Sequence, residues 1–173
     1  AHSVWLNLKE IELYARTRTS VAHCPKSNLK LASGIADTDT YMKAGINVSI
    51  GTDGTASNNT LDMVEEMRFA ALLPKGSLHN PEAVNARTAL RMATINGAKA
   101  LGIHHLTGSL EVGKRADLIV IHADASNMLP IYDVYSAIVY ASNSKNIRSS
   151  MVNGKWIMRN RELMNINKTE TME

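Results

Sequence analysis

The sequence predicts an α/β fold, with strand–helix units of the parallel kind first and a smaller β-rich region after them. Three observations carry this expectation. Short apolar runs alternate with helical patterns over residues 1–102, the order that builds parallel βαβ units. The run Ile46, Val48, Ile50 feeds straight into Gly51-Thr52-Asp53-Gly54. That puts a lone carboxylate in a glycine-flanked turn at a strand's carboxyl end, where α/β barrels keep their chemistry. From about residue 103 the pattern changes to "DLIVIH" and to a stretch centred on Asn153-Gly154, the strongest short hairpin signal.

The elements follow in order. Leu8 to Arg16 reads as a helix, with Leu8, Ile11 and Leu13 apolar among charged residues. Ser20 to His23 is a strand that stops at Cys24-Pro25, and "KSNLKLASG" reads as a loop of turn formers. Asp37 to Ala44 is a helix stopped by Gly45, a common residue just past a helix end. Ile46 to Ile50 is the next strand. A helix follows from about Leu61 to Leu73, ended by Pro74 and Gly76. Asn80-Pro81 suits a helix start, with Asn as cap and Pro in the first turn. Helical character then continues to about Leu101 with a break near Thr94 to Gly97. Gly108 to Gly113 reads as a strand between turns, and Asp117 to His122 as a strong strand. Tyr132 to Tyr140 is more helix than strand, and Ser149 to Met158 is a hairpin. The domains expected are therefore 1–102, 103–165 and a polar tail, 166–173, that frays.

Composition bounds the function. A chain of 173 residues with 45% hydrophobic content supports a real core, but it is shorter than the roughly 250 residues of a closed (β/α)8 barrel. It opens Ala1-His2-Ser3-Val4-Trp5, like the interior of a domain, and the expectation is a C-terminal piece of a longer protein. The net charge of +3 reads as a mild excess spread along the chain, which speaks against a nucleic-acid binder. No apolar run approaches a membrane span. One cysteine, Cys24, excludes an internal disulfide and suits a reducing cytoplasm. Nine methionines read as core filler.

The candidate chemical residues sit at strand ends. A buried Asp53 would need a cation or a proton to offset its desolvation, so it reads as a metal ligand or general base. His2 and His23 would share its rim. His2 can be a proton shuttle, a ligand or a packed histidine. His23 can be a ligand or simply cap a loop. Two histidines and a carboxylate with a water is a catalytic zinc pattern, so His2, His23 and Asp53 form the sharpest metal hypothesis from the residues alone. Asn28, Ser57 and Asn58 lie in expected loops and can orient a substrate or serve turn chemistry. Cys24 reads as an inert buried thiol. His79, His104, His105 and His122 are weaker candidates, and Glu65 and Glu66 read as solvated or capping.

Five strings then converge in order: "AHSVWL", "VAHCPKSNLKLASGIA", "GTDGTASNNTLDMVEEMRFAALL", "ALRMATINGAKALG" and "GSLEVGKRADLIVI". Together they resemble the C-terminal half of amidohydrolase-superfamily deaminases over about residues 1–160. The resemblance is to the methylthioadenosine/S-adenosylhomocysteine deaminase branch, beside chlorotriazine hydrolases and guanine deaminase. It implies part of a metal-dependent (β/α)8 barrel with a small composite β-sandwich, in which His2, His23 and Asp53 end strands six, seven and eight. It implies one divalent metal, zinc or iron, held in part by Asp53, which would also take the proton of the attacking water. It makes His2 the catalytic histidine and leaves His23 outside the ligand set. The family's His-x-His pair, its strand-five metal histidine and the neighbouring glutamate are absent from this chain.

The resemblance therefore implies that the longer protein is a cytoplasmic aminohydrolase converting an adenine nucleoside to its inosine analogue, and that this chain alone is inactive. Its partners would be a purine nucleoside and either a second copy or the missing N-terminal half, with no nucleic acid and no membrane. The alternatives are a guanine or chlorotriazine hydrolase, and a non-catalytic fragment or scaffold.

Overall fold

The computed structural model describes residues 1–166 and 171. Two short strands, β1 (Val21–His23) and β2 (Val48–Ile50), pair in parallel with Val21 opposite Val48 and His23 opposite Ile50. Helix α1 (Leu8–Thr17) precedes β1, and its start is closed by a reciprocal cap between Asn7 and Glu10. Between the strands run α2 (Pro25–Lys30) and α3 (Thr38–Lys43). Asp37 caps α3, and Gly45, at φ 84°, reverses the chain after it. Beyond β2 come α4 (Thr55–Asn58), α5 (Met63–Leu78), α6 (Ala86–Met92) and α7 (Ile95–Ala100).

Because side chains alternate across a strand, Val21 and His23 share one sheet face with Val48 and Ile50. That face meets Ile11, Tyr41, Val64, Met67, Ala70, Ala89 and Met92 in the main core. Fully burying a side chain the size of Val, Ile or Met contributes about 1.5–3 kcal/mol.

The second sheet is antiparallel, with β3 (Leu118–Ile121), β4 (Ile147–Val152), β5 (Lys155–Arg159) and β6 (Glu162–Leu163) side by side in that order. Asn153 and Gly154, at φ 49° and 77°, make the tight turn between β4 and β5. Before β4, Asp133 caps α8 (Val134–Ser136), which runs on as a wide π turn through Ala137–Ala141. Val139 of this turn is buried in the same core as β1 and β2. Arg68 on α5 donates to the carbonyl oxygens of Val139 and Ser142.

Several expectations are corrected. "KSNLKLASG" is not all loop. Pro25 sits in the first turn of α2, where its missing N–H costs nothing, and Asn28 and Leu31 donate back to Cys24 and Ser27. Pro74 does not end α5, which continues to Leu78 with Pro74 buried. One backbone bond is lost there, and packing on the buried face of the helix offsets it. Asn80-Pro81 opens a turn, not a helix. The Asn80 side chain accepts the Glu82 N–H, Val84 is left-handed at φ 44°, and Asn85 is the cap of α6. The break in the following helical stretch lies at 93–94.

Gly108 to Gly113 forms turns. Ser109, Glu111 and Lys114 bond to one another within it, and Leu110 and Val112 point to solvent. The positive charge is not evenly spread: between Asp133 and Glu162 stand Lys145, Arg148, Lys155, Arg159 and Arg161 with no acid among them. Most of the tail expected to fray lies outside the described residues. Among those described, no helix is long and apolar enough to cross a membrane.

Candidate active site

Asp53 follows β2 by three positions and takes a left-handed backbone, φ 61°. A non-glycine residue held there costs of order 1–3 kcal/mol and persists only where its surroundings enforce it. The surroundings do so through the carboxylate. Ser27 Oγ on α2 and Ser57 Oγ on α4 both donate to Asp53 Oδ2 at 2.6 Å. The hydroxyls of Ser27 and Ser57, then the Gly54 N–H, then the nearby His2 ring, hold the carboxyl well below the usual range, at about 2. Asp53 is therefore an anion at every pH of biological interest. Its side chain is a third exposed, so the expectation of a buried acid is corrected; hydrogen bonds, not burial, set its charge state.

His2 extends the edge of β1, with its N–H donating to Ala22 O at 2.9 Å. Its backbone is also left-handed, φ 66°. The segment is pinned by buried Tyr41, whose hydroxyl donates to Ser3 O at 2.7 Å. His2 Nδ1 lies 2.8 Å from Asn28 Oδ1. An amide oxygen only accepts, so Nδ1 is the donor of this bond and Nε2 is the ring nitrogen turned away from Asn28. Nε2 stands 4.0 Å from Asp53 Oδ2. His2, Asn28, Ser27, Ser57 and Asp53 are thus brought together.

Behind Asp53 lies a buried support. Glu66 on α5 is 0% exposed and accepts from Asn58 Nδ2 and from the Lys26 N–H. Burial pushes its carboxyl up against the pull of those two donors. Asn58 Nδ2 also donates to Thr52 O at 2.6 Å, and its Oδ1 accepts from Thr60 at 3.2 Å. With its amide committed and buried, Asn58 fastens the turn before Asp53 and offers nothing to a ligand, so its expected substrate-binding place is corrected. Asn28 and Ser57 lie on helices, not loops, and both act on His2 or Asp53. Lys26 Nζ donates to Thr60 and Glu65, and Lys30 Nζ to Ala56 O and Asn59, tying α2 to α4.

His23 does not share the site. It is 1% exposed, on the core face of β1, and neither ring nitrogen has a hydrogen-bond partner among the described residues. Burial, and then the nearby His2, lower its pKa to about 4, so the ring is neutral. The zinc set of His2, His23 and Asp53 is corrected accordingly: among the described residues no three His, Cys, Asp or Glu side chains are placed to hold a metal. The Cys24 thiol is buried, and burial pushes its pKa up, as an inert thiol requires. His79 ends α5 in a left-handed cap, His104 and His105 stack edge-on, and His122 pairs with Asp124.

Ser27 and Glu66 are the residues that sequence reasoning missed. Ser27 stands one position before Asn28 in a segment expected to be loop. Glu66 had a usable signal, since it repeats at helical spacing with Ala70 and Pro74 and so belongs to the buried face of α5.

Comparison with known proteins now adds to this geometry. Residues 1–157 match the amidohydrolase family. A 5-methylthioadenosine/S-adenosylhomocysteine deaminase of Moorella thermoacetica is 48% identical over 98% of this chain and 40% of its own length. A 5'-deoxyadenosine deaminase of Methanosarcina acetivorans is 46% identical over 100% of this chain and 40% of its own. The crystal structure of an adenosine deaminase from Xanthomonas campestris with bound zinc is similar at a TM-score of 0.97 and 42% identity, over 99% of this chain and 39% of that one. The chain thus spans about two fifths of the length of these relatives. With the family match covering residues 1–157, the chain belongs to the amidohydrolase family.

Proposed function

We propose that this chain carries one side of the active site of a metal-dependent aminohydrolase acting on a 5'-modified adenine nucleoside. The observation that carries the reading is an exposed Asp53 kept ionised by Ser27 and Ser57, facing Nε2 of a His2 oriented by Asn28. The deaminase names of relatives at 46–48% identity support the substrate class.

On this reading β1 and β2 are the seventh and eighth strands of a (β/α)8 barrel, His2 marks the end of the sixth, and residues 103–165 belong to a small β-rich region beside it. The parallel pairing of β1 with β2, and the placing of His2 and Asp53 beyond strand ends, support this arrangement. A carboxylate ionised in its resting state fits a divalent cation, and the bound zinc of the Xanthomonas enzyme supports that choice. Asp53 would hold the metal. When bound, the metal supplies an acidified water at neutral pH.

This chain's own part is to move protons. Asp53 accepts a proton from the attacking water and returns it to the leaving ammonia. Nε2 of His2, held in place by Asn28, orients the water or the purine ring. The remaining metal donors and the ring-protonating acid would come from sequence outside this chain, either in the same polypeptide or in a complementing one. The isolated 173 residues would then hold metal weakly and turn over no substrate.

The test is an assay of the longer protein on methylthioadenosine, 5'-deoxyadenosine, guanine and a chlorotriazine, with metal content measured alongside. Ammonia release from the two adenosines, abolished together with stoichiometric metal in Asp53→Asn, is expected. Turnover of guanine or the triazine alone would move the substrate class. Full activity in Asp53→Asn would remove Asp53 from the mechanism, and no turnover of any substrate would favour a non-catalytic scaffold.

A further inference from the structure

One end of the antiparallel sheet gathers positive charge, with Asp124 beside His122 as the carboxylate paired to the pocket among the described residues. His122, Lys145, Arg148, Asn160 and Arg161 line an open pocket of about 400 Å³ there. Arg161 Nη1 donates to the carbonyl oxygens of Ser144 and Ile147, 3.1 Å each. Arg148 Nε donates to Asn160 Oδ1 at 2.9 Å, and the Arg161 N–H donates to Arg148 O at 2.9 Å. These acceptors are neutral, so they fix both guanidinium groups in place without cancelling their charge. Among the described residues, the only ion pair made by a pocket residue is His122 with Asp124, and Lys145, Arg148 and Arg161 pair with no carboxylate.

The turn that presents Arg161 is itself unusual. β5 and β6 are joined by Asn160 and Arg161, at φ 50° and 72°, just as β4 and β5 are joined by Asn153 and Gly154, at φ 49° and 77°. The second position of such a turn favours glycine because its φ is positive. Gly154 follows that rule, whereas at the equivalent place an arginine bears the strain and reaches the 144–147 carbonyls. Strained backbone held by its surroundings clusters at functional sites.

We propose that this pocket binds a small oxyanion ligand, a phosphate or phosphate monoester, through Lys145, Arg148 and Arg161. Guanidinium groups match phosphate oxygens in a fixed fork, and an ammonium adds a point charge. A pocket of this volume suits a small molecule. The concentration of cations between Asp133 and Glu162, with no acid among them, raises local anion concentration further.

The experiment is titration of the full-length protein with inorganic phosphate and with pyrophosphate, at constant ionic strength set by chloride, followed by calorimetry and phosphorus line width. Saturable binding is expected, weakened at least tenfold in Lys145→Ala/Arg148→Gln. Arg161→Gly is the second variant. It relaxes the turn and removes the side chain while keeping the backbone bond to Arg148 O, and it should lose binding to the same extent while nucleoside turnover and the melting midpoint stay as in the parent. Absent saturable binding, or binding unchanged in both variants, overturns the proposal. So does binding confined to an oligouridylate and strengthening with its length, which would mean a polymer surface instead.

Discussion

Asn28 fixes which nitrogen of His2 is free: its Oδ1 accepts from Nδ1 at 2.8 Å, and Nε2 is the atom that looks across 4.0 Å to Asp53. Asn28 is buried, so this preference is built into the packing. Asn28→Ala should release the ring to rotate and to change tautomer. The expected result in the full-length protein is a fall in kcat of about 10–100-fold with little change in KM, the usual scale for a partner that orients a catalytic group. Steady-state kinetics measures it, and an unchanged kcat would show that His2 needs no such guide.

Ser27 and Ser57 set the charge of Asp53 in the same way. Removing both hydroxyls should raise its pKa from about 2 towards the ordinary 3.8. The sign follows from the depression: the stabilisation that these bonds give the folded state is present above the ordinary value and is lost as pH falls through about 2. In Ser27→Ala/Ser57→Ala the folded and unfolded values converge, so this contribution disappears and stability between pH 3.8 and about 2 becomes less pH-dependent. A carbon-13 titration of the aspartate carboxyl reads the shift directly.

His23 makes the opposite kind of prediction, about stability alone. Its pKa is lowered from 6.5 to about 4, so its neutral form belongs to the folded state. The stability tied to it is complete above pH 6.5 and is lost as pH falls towards 4. The total is of order 3 kcal/mol by the conversion of about 1.4 kcal/mol per pKa unit. His23→Leu should flatten this part of the pH dependence. Denaturation midpoints of parent and variant at pH 7 and pH 4 provide the comparison; equal slopes would contradict the burial argument.

Glu66 should divide its two substitutions sharply. Glu66→Ala leaves one N–H of the Asn58 amide and the Lys26 N–H without an acceptor, and each buried donor so stranded costs about 1–3 kcal/mol. Glu66→Gln keeps an acceptor oxygen and should cost much less. Because Asn58 also holds Thr52 O, the alanine variant should lose activity along with stability. Thermal melts and kinetics on the pair distinguish this from a merely space-filling role.

Much of this was legible before the structure. Asp37 and Gly45 framed α3, the apolar runs gave β1 and β2, and Asn153-Gly154 gave a hairpin, because each rests on local backbone chemistry. The failures have physical causes too. Pro25 and Pro74 are one residue type read twice in the wrong sense: Pro25 starts a helix that was expected to be loop, and Pro74 lies buried within one expected to stop. The Asn80 side chain chose a turn over a helix cap, a competition that composition does not decide. The site was half legible. Asp53 and His2 announced themselves by chemistry and position, but Ser27 hid in an expected loop and His23 turned to the core by strand parity.

The burial of Val139 beside β1 and β2, with Arg68 reaching the carbonyls of Val139 and Ser142, bears on how this polypeptide can be cut. A break at residue 102 looks natural by secondary structure. It would nonetheless strand a guanidinium and open a hole in the hydrophobic interior of the first piece. The helical turn at 134–141 acts as a peg from the later region seated in the earlier one. Chimeras that exchange the β-rich part should keep this peg with its socket.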